Sequence, residues 1–182
     1  MHARLIVLVD KEHAEDSEGA REYVESKLIA NEFAGEGNLF SSPPADWFVI
    51  GGRWSGELTW WRLGKEVEDK FYAVAKERDL TRCGGERTEE QCDQQLIALF
   101  REIVPDFDGE PPIGRDTYAH RGYEDDAQIL DEGFFNRLQV LKSFRDGDLG
   151  DGCHYIDLDA PFEKLTENAI GQKWVVIVDF HS

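Results

Sequence analysis

Two uninterrupted apolar runs, one near each end of the chain, constrain the fold more than any other feature. The first covers residues 5–9 and the second covers residues 175–178. Aliphatic and β-branched runs without polar alternation are typical of strands that are covered on both faces. We therefore predict an α+β fold, with a mixed or antiparallel sheet, these two strands at its centre and helices mainly on one face.

Helical and strand periodicity predicts the remaining elements. Helices are expected at 17–33, 65–78 and 88–104, and from Asp131 to a point before Gly147. Thr88 and Gln91 have the spacing of a capping box at the start of the third helix. Short strands are expected at 47–50, 57–61, 127–130 and 154–158. We predict a single domain, residues 1–182, in which residues 64–116 form a helical insertion.

The charge of the chain limits its partners. The 182 residues include 38 acidic and 20 basic side chains, which gives a formal net charge of −18. A field of that sign repels the phosphate backbone of nucleic acids, so nucleic acid is not expected as a partner. A basic protein partner is compatible with this charge. A small anion can bind only where local arginines outweigh the field.

The cysteines and the hydropathy of the chain predict its location. Cys83, Cys92 and Cys153 have no spacing typical of a metal site or a disulfide framework, so we predict three reduced thiols. No stretch has the pattern of a signal peptide or the length of a membrane span. We expect a cytoplasmic location and no membrane contact.

The segment at 47–56, WFVIGGRWSG, is far from average composition. Its two glycines allow positive φ angles or a close approach of the backbone to another chain or ligand. Arg53 is expected to lie between indole rings, where a guanidinium stacks well and can bind a carboxylate or phosphate. The candidate residues for binding a small anionic or planar ligand are Trp47, Gly51, Gly52, Arg53 and Trp54.

A purely structural interpretation of this segment is also open. A strand, a glycine bulge, a pair of buried tryptophans and an arginine bonded to a carbonyl or a glutamate would require the same residue types. In that case the glycines serve the backbone alone, and the segment forms no pocket.

A carboxylate and an imidazole, Asp179 and His181, lie near the end of the chain. Two residues apart on a strand, they share one face, and a carboxylate that orients an imidazole is common in acid–base catalysis. They are the candidate catalytic residues. The alternatives are a metal site completed by His120, His154 or Asp157, and an exposed pair with no role in catalysis. The sequence assigns no metal site and identifies no cofactor.

Two loops also carry polar side chains of interest. The irregular region 105–123 is the second place where a site is expected, and its polar residues are Asp116, Tyr118, His120 and Arg121. Residues 146–157 resemble a calcium-binding loop. However, Asp151 stands where a glycine is needed and Asp157 stands where a glutamate is needed, so an acidic turn is the better interpretation.

The motif also carries a resemblance. An aromatic-x-Ile-Gly-Gly-Arg-Trp segment, an N-terminal apolar strand, residues 126–130 before a helix, and a C-terminal Val-Asp-Phe-His resemble a group of uncharacterised bacterial and bacteriophage proteins that end in Val-Asp-x-His. Residues 64–116 are largely unmatched. The resemblance implies a bacterial or phage origin and supplies no activity. It singles out Gly51, Gly52, Arg53, Trp54, Asp179 and His181.

Three functions are compatible with the sequence. The first is a cytosolic domain, enzymatic or not, that binds a small molecule or anion in a pocket around the motif at 47–56. The second is an acidic interaction protein, such as a phage inhibitor, that presents carboxylates to a basic host protein. The third is a structural protein that uses its tryptophan cluster as an oligomer interface.

Overall fold

The computed structural model describes residues 2–33, 47–115, 122–143, 153–161 and 163–181. The chain forms two compact units. One unit comprises Met1–Leu58 and Thr117–Ser182, and the other comprises Thr59–Asp116. The predicted insertion, 64–116, falls inside the second unit. None of the helices in the described ranges is long and apolar enough to cross a membrane.

A mixed six-stranded sheet forms the centre of the first unit. Its strands are β1 His2–Asp10, β2 Trp47–Ile50, β3 Ala127–Ile129, β4 Lys142–Ser143, β5 Cys153–Asp157 and β6 Lys173–His181. The order is β2-β6-β1-β5-β4, with β3 also paired to β6. β1 is antiparallel to β6 and parallel to β5. The predicted α+β fold, with the first and last strands central, is confirmed.

The strand register positions the polar ends of the sheet. His2 pairs with His181 at one end of the β1–β6 ladder, and Asp10 pairs with Lys173 at the other. β2 pairs with residues 178–181 of β6, and β3 pairs with residues 174–176. β1 pairs along the whole of one edge of β6, so β2 and β3 both pair along the other edge, one after the other. The chain must therefore leave this edge where β2 ends.

Both faces of β1 are buried, as its apolar run predicts. Leu5, Ile6, Val7, Leu8 and Val9 are all inaccessible to solvent. The first helix, α1 Ser17–Phe33, packs on the face that carries Leu5, Val7 and Val9. Burial of this kind stabilises by roughly 25 cal/mol per Å² of apolar surface removed from water. This burial stabilises the strands that carry the polar residues at the ends of the sheet.

The segment at 57–61, predicted as a strand, is helical instead. Residues Glu57–Leu63 form α2, which starts after Gly56. The amide of Gly56 donates to the carboxylate of Asp126, 70 residues away. This long-range bond and the preceding tight turn set the direction of the chain, and they outweigh the β propensity of Thr59 and the two tryptophans that follow it.

The other predicted helix starts are confirmed. Asp131 accepts a hydrogen bond from the amide of Phe134 and caps α5, Glu132–Leu138. In the second unit, α3 covers Lys65–Glu77 and α4 covers Glu89–Ile103, and Thr88 and Gln91 form the capping box. The core of that unit is aromatic; its buried residues are Trp60, Phe71, Ala75, Leu99 and Phe100.

The predicted set of three reduced thiols is wrong. Cys83 and Cys92 form a disulfide with their Cα atoms 5.9 Å apart. The loop before α4 folds back over the first turn of that helix, so two cysteines nine residues apart meet without any recognisable sequence spacing. Cys153 is a free, half-buried thiol.

Candidate functional site

A tight turn at Gly51 and Gly52 takes the chain off the shared edge of β6. Gly51 has φ 76° and ψ −76°, and residues Gly52–Trp54 form one turn of 3-10 helix. The amide of Gly51 donates to the carbonyl of Ile177 at 2.8 Å, which anchors the turn to β6. Gly52 also has a positive φ, 55°. Residues 51–56 are called the glycine turn below.

Each glycine of this pair lies against a buried carboxylate. A Cβ atom at Gly51 would lie 2.2 Å from an oxygen of Asp126, and one at Gly52 would lie 2.5 Å from the Cβ of Asp179. Any side chain at either position would collide with these groups. The backbone therefore comes close to side chains of the same chain, whereas the predicted close approach was to another chain or a ligand.

Asp126 holds the glycine turn from the β3 side. Its carboxylate accepts from the Ser55 hydroxyl at 2.8 Å, the Gly56 amide at 2.9 Å and the Tyr123 amide at 2.8 Å. The side chain is fully buried. Burial raises the pKa of Asp126, and the three hydrogen bonds offset this effect only in part. Asp126 is not among the predicted site residues.

Asp179 holds the same turn from β6. Its carboxylate accepts from the backbone amide of Arg53 at 3.1 Å and lies 2.9 Å from Nδ1 of His2. The residue is fully buried. A carboxylate can only accept, so Nδ1 of His2 is the donor in this contact. Asp179 therefore bonds to an imidazole, and this imidazole belongs to His2, whereas the predicted partner was His181.

The predicted partner of Asp179, His181, is only partly described. Its backbone pairs with those of His2 and Trp47, and its side chain lies outside the described part of the chain. The catalytic assignment of Asp179 and His181 stays a prediction.

One guanidinium beside Trp54 belongs to Arg4. Arg53 is exposed, and the expectation that its guanidinium lies between indoles stays a prediction, because the side chain of Trp47 lies outside the described part of the chain. The amide of Arg53 donates to the carboxylate of Asp179. Arg4 of β1 lies over the Trp54 ring, 5.1 Å from the centroid, and also bonds to Glu57. The ligand-binding role assigned to Trp47, Gly51, Gly52, Arg53 and Trp54 stays a prediction.

Cys153 lies beside Arg4 in the sheet. The two residues are register partners between β5 and β1. Burial raises the pKa of the Cys153 thiol, and the charges of Arg4 and Arg137 and a hydrogen bond from Arg4 act in the opposite direction. The guanidinium of Arg4 thus touches an indole, a carboxylate and a thiol.

His2 and Arg4 were missed, although the sequence contains their signal. They alternate with apolar residues at the start of β1, as Asp179 and His181 do at the end of β6. Once two terminal strands are paired antiparallel, these alternating polar residues must meet on one face.

The predicted metal set around Asp179 does not assemble among the described residues. His154 pairs with Leu5, so its side chain lies on the opposite face of the sheet from Arg4 and Asp179. Asp157 pairs with Leu8, which lies four residues beyond Arg4 along β1. Asp116, Tyr118, His120 and Arg121 and most of the calcium-like segment lie outside the described ranges.

The tryptophans offer little surface to a partner. Trp60 and Trp61 are 7% and 9% exposed, and Trp54 is half-buried beneath Arg4. The side chain of Trp47 is outside the described part of the chain. The described indoles therefore serve the fold of this chain, which gives an oligomer interface no support.

Comparisons with protein-family models, with curated proteins and with solved structures find no match for this chain. The resemblance to bacterial and phage proteins that share the glycine motif stays a prediction.

Proposed function

We propose that this protein binds a small anionic molecule, carrying a carboxylate or a phosphate, at the surface formed by His2, Arg4, Arg53 and Trp54. This surface is called the anion surface below. The observation that carries the proposal is the position of Asp179, which bonds both the ring of His2 and the backbone of Arg53. One buried carboxylate thus fixes an imidazole and the turn that presents a guanidinium.

Two arginines offset the negative field of the chain at this place. The chain as a whole carries −18, whereas Arg4 and Arg53 here balance Glu57 and the buried Asp179. Arg53 is exposed, and Arg4 is held by Trp54 and Glu57. Guanidinium groups form paired hydrogen bonds to carboxylates and phosphates, and a guanidinium already held in place loses less entropy on binding.

The test is a binding measurement with a matched charge control. Thermal shift and calorimetry would be run on the full chain with inorganic phosphate, citrate and nucleoside monophosphates. We expect Arg53→Ala to weaken binding of the best anion about tenfold, as loss of one charge-assisted hydrogen bond predicts. Arg82→Ala removes the same charge from an exposed position in the second unit and should leave the affinity unchanged.

Two results would overturn the proposal. One is a wild-type chain that none of these anions stabilises. The other is an equal loss of affinity in Arg53→Ala and Arg82→Ala, because equal losses indicate general charge screening. Salt-sensitive binding of a basic protein, with no effect of any anion, would favour the acidic interaction protein instead.

A further inference from the structure

We propose that Asp10, His13 and Asp159 form a binding site for a divalent transition-metal cation, at the end of β1 opposite His2. This triad, called the DHD triad below, is independent of the proposed function. It lies eight residues along the strand from His2, which is about 26 Å at 3.3 Å per residue.

Three separate segments bring the triad together. Asp10 ends β1, His13 lies in the 3-10 turn Lys11–His13 that follows, and Asp159 comes two residues after β5. One ligand atom from each residue lies within 4.8 Å of the others. The triad results from the parallel pairing of β1 and β5, which places the carboxyl ends of both strands at one edge.

The ligand atoms are already held in place. Asp159 accepts from the amide of Asp10 at 2.6 Å, and its other oxygen lies 2.8 Å from Nε2 of His13. The ring of His13 stacks on Tyr23, with centroids 4.3 Å apart and planes 9° apart. Prior ordering of this kind lowers the entropy cost of binding a ligand.

The distance between His13 and Asp159 suits replacement of their shared proton by a metal. Zinc binds histidine nitrogen and carboxylate oxygen at about 2.0–2.2 Å, so tetrahedral ligand atoms lie about 3.3 Å apart. His13 and Asp159 would have to separate by only about half an ångström from their hydrogen-bonded distance. One imidazole with two carboxylates suits zinc, cobalt or manganese better than calcium, which prefers oxygen ligands alone.

The local charge also fits a dication. Lys173 donates to Asp10 at 2.6 Å and to Asp157 at 2.8 Å. Asp10, Asp157 and Asp159 together carry three negative charges, and Lys173 carries one positive charge. Two net negative charges remain when His13 is neutral. A carboxylate has two oxygens, so Asp10 can accept from Lys173 with one and bind the metal with the other.

The experiment is a titration of the full chain with ZnCl₂ and with CoCl₂. We expect one equivalent of either metal to bind by calorimetry, and visible absorption bands of bound cobalt to appear. His13→Ala and Asp159→Asn should each weaken binding at least tenfold, since loss of an outer-shell partner alone costs about 10- to 100-fold. Glu12→Gln, at an exposed neighbouring position, removes the same charge as Asp159→Asn and should leave binding unchanged.

The outcomes separate a metal site from a simple hydrogen-bonded turn. Absence of a 1:1 event in the wild type would overturn the proposal, and so would an equal effect of Glu12→Gln and Asp159→Asn. Circular dichroism of each variant confirms its fold, and His13→Gln provides a second test if the alanine variant unfolds. Arg53→Ala should bind metal normally, because the anion surface and the DHD triad share no residue.

Discussion

The glycine turn and the Lys173 end of β6 use carboxylates in two different ways. At the glycine turn, the buried carboxylate of Asp126 accepts from N–H and O–H groups of its own chain. At the other end of the sheet, Asp10 and Asp157 share the ammonium of Lys173. The first arrangement fixes backbone geometry with dipoles, and the second balances charge with charge.

The pKa shifts of Asp126 and Lys173 reflect this difference. Burial raises the pKa of Asp126, because neutral donors offset the loss of hydration only in part. Burial also acts to lower the pKa of Lys173, but its bonds to Asp10 and Asp157 outweigh that effect and leave the pKa raised. The N–H and O–H donors around Asp126 fix one conformation of the turn. The carboxylates around Lys173 exceed its charge, which is the basis for the proposed binding of a further cation.

The largest effect is expected from a side chain placed in the glycine turn. Gly51→Ala would push a methyl group to 2.2 Å from the Asp126 carboxylate, at a φ of 76°. We expect a loss of about 3–4 kcal/mol in unfolding free energy, the sum of left-handed backbone strain and overpacking. Urea denaturation measures this loss.

Gly171→Ala provides the matched control. Gly171 has a φ of 75°, yet a Cβ there would meet nothing within 4 Å. It should cost only the backbone strain, about 1–2 kcal/mol. Equal losses at Gly51 and Gly171 would mean that the buried carboxylate plays no part in the requirement for glycine.

The next largest effect is expected at Lys173, where the charge balance can be broken. Lys173→Met keeps the apolar stem but leaves Asp157, whose side chain is 8% exposed, without its counter-charge. We expect a loss of about 3 kcal/mol in unfolding free energy, typical of breaking a buried ion pair. The extra negative charge should also tighten zinc binding, so zinc should raise the melting temperature more in this variant than in the wild type. A loss below about 1 kcal/mol would indicate that water already compensates Asp157.

The central strands and the glycine turn differ in how far the sequence predicts them. The strands at 5–9 and 175–178 were predictable because burial on both faces leaves a continuous apolar run, which is a local pattern. Gly51 and Gly52 were conspicuous in the composition of their segment. The contacts that require glycine there could not be predicted, because Asp179 bonds to the amide of Arg53 across 126 positions in sequence.

The DHD triad was hidden for a similar reason. Asp10 and His13 are close in sequence and looked like an ordinary polar connection after a strand. Their third member, Asp159, arrives from β5, and only the parallel pairing of β1 and β5 brings it near. Parallel partners are distant in sequence, so neither local periodicity nor motif spacing encodes them.

A smaller effect is expected when Asp126 loses one acceptor. Asp126→Asn keeps the volume, but its NH₂ group must face either the Gly56 amide or the donors at Ser55 and Tyr123. We expect a loss of about 2 kcal/mol at pH 7, because one buried donor is left unpaired.

The pH dependence of this variant tests the raised pKa of Asp126. A group whose pKa is higher in the folded state contributes stability that is fully present below the unfolded pKa and is lost as pH rises through the folded pKa. The advantage of the wild type over Asp126→Asn should therefore be greater at pH 4 than at pH 7. The opposite order in urea denaturation at the two pH values would place the pKa of Asp126 below that of an ordinary aspartate.

The smallest effect is expected at Arg4, on the anion surface. Arg4→Lys keeps the positive charge but replaces a planar guanidinium over Trp54 with a compact ammonium that cannot stack. Because the ammonium can still bond to Glu57, we expect a loss of only about 0.5–1 kcal/mol. Arg82→Lys, at an exposed site in the second unit, should change nothing measurable. If Arg4→Lys abolishes anion binding while stability falls this little, the guanidinium serves the ligand more than the fold. If stability falls by several kcal/mol, Arg4 belongs with Asp126 among the groups that build the turn.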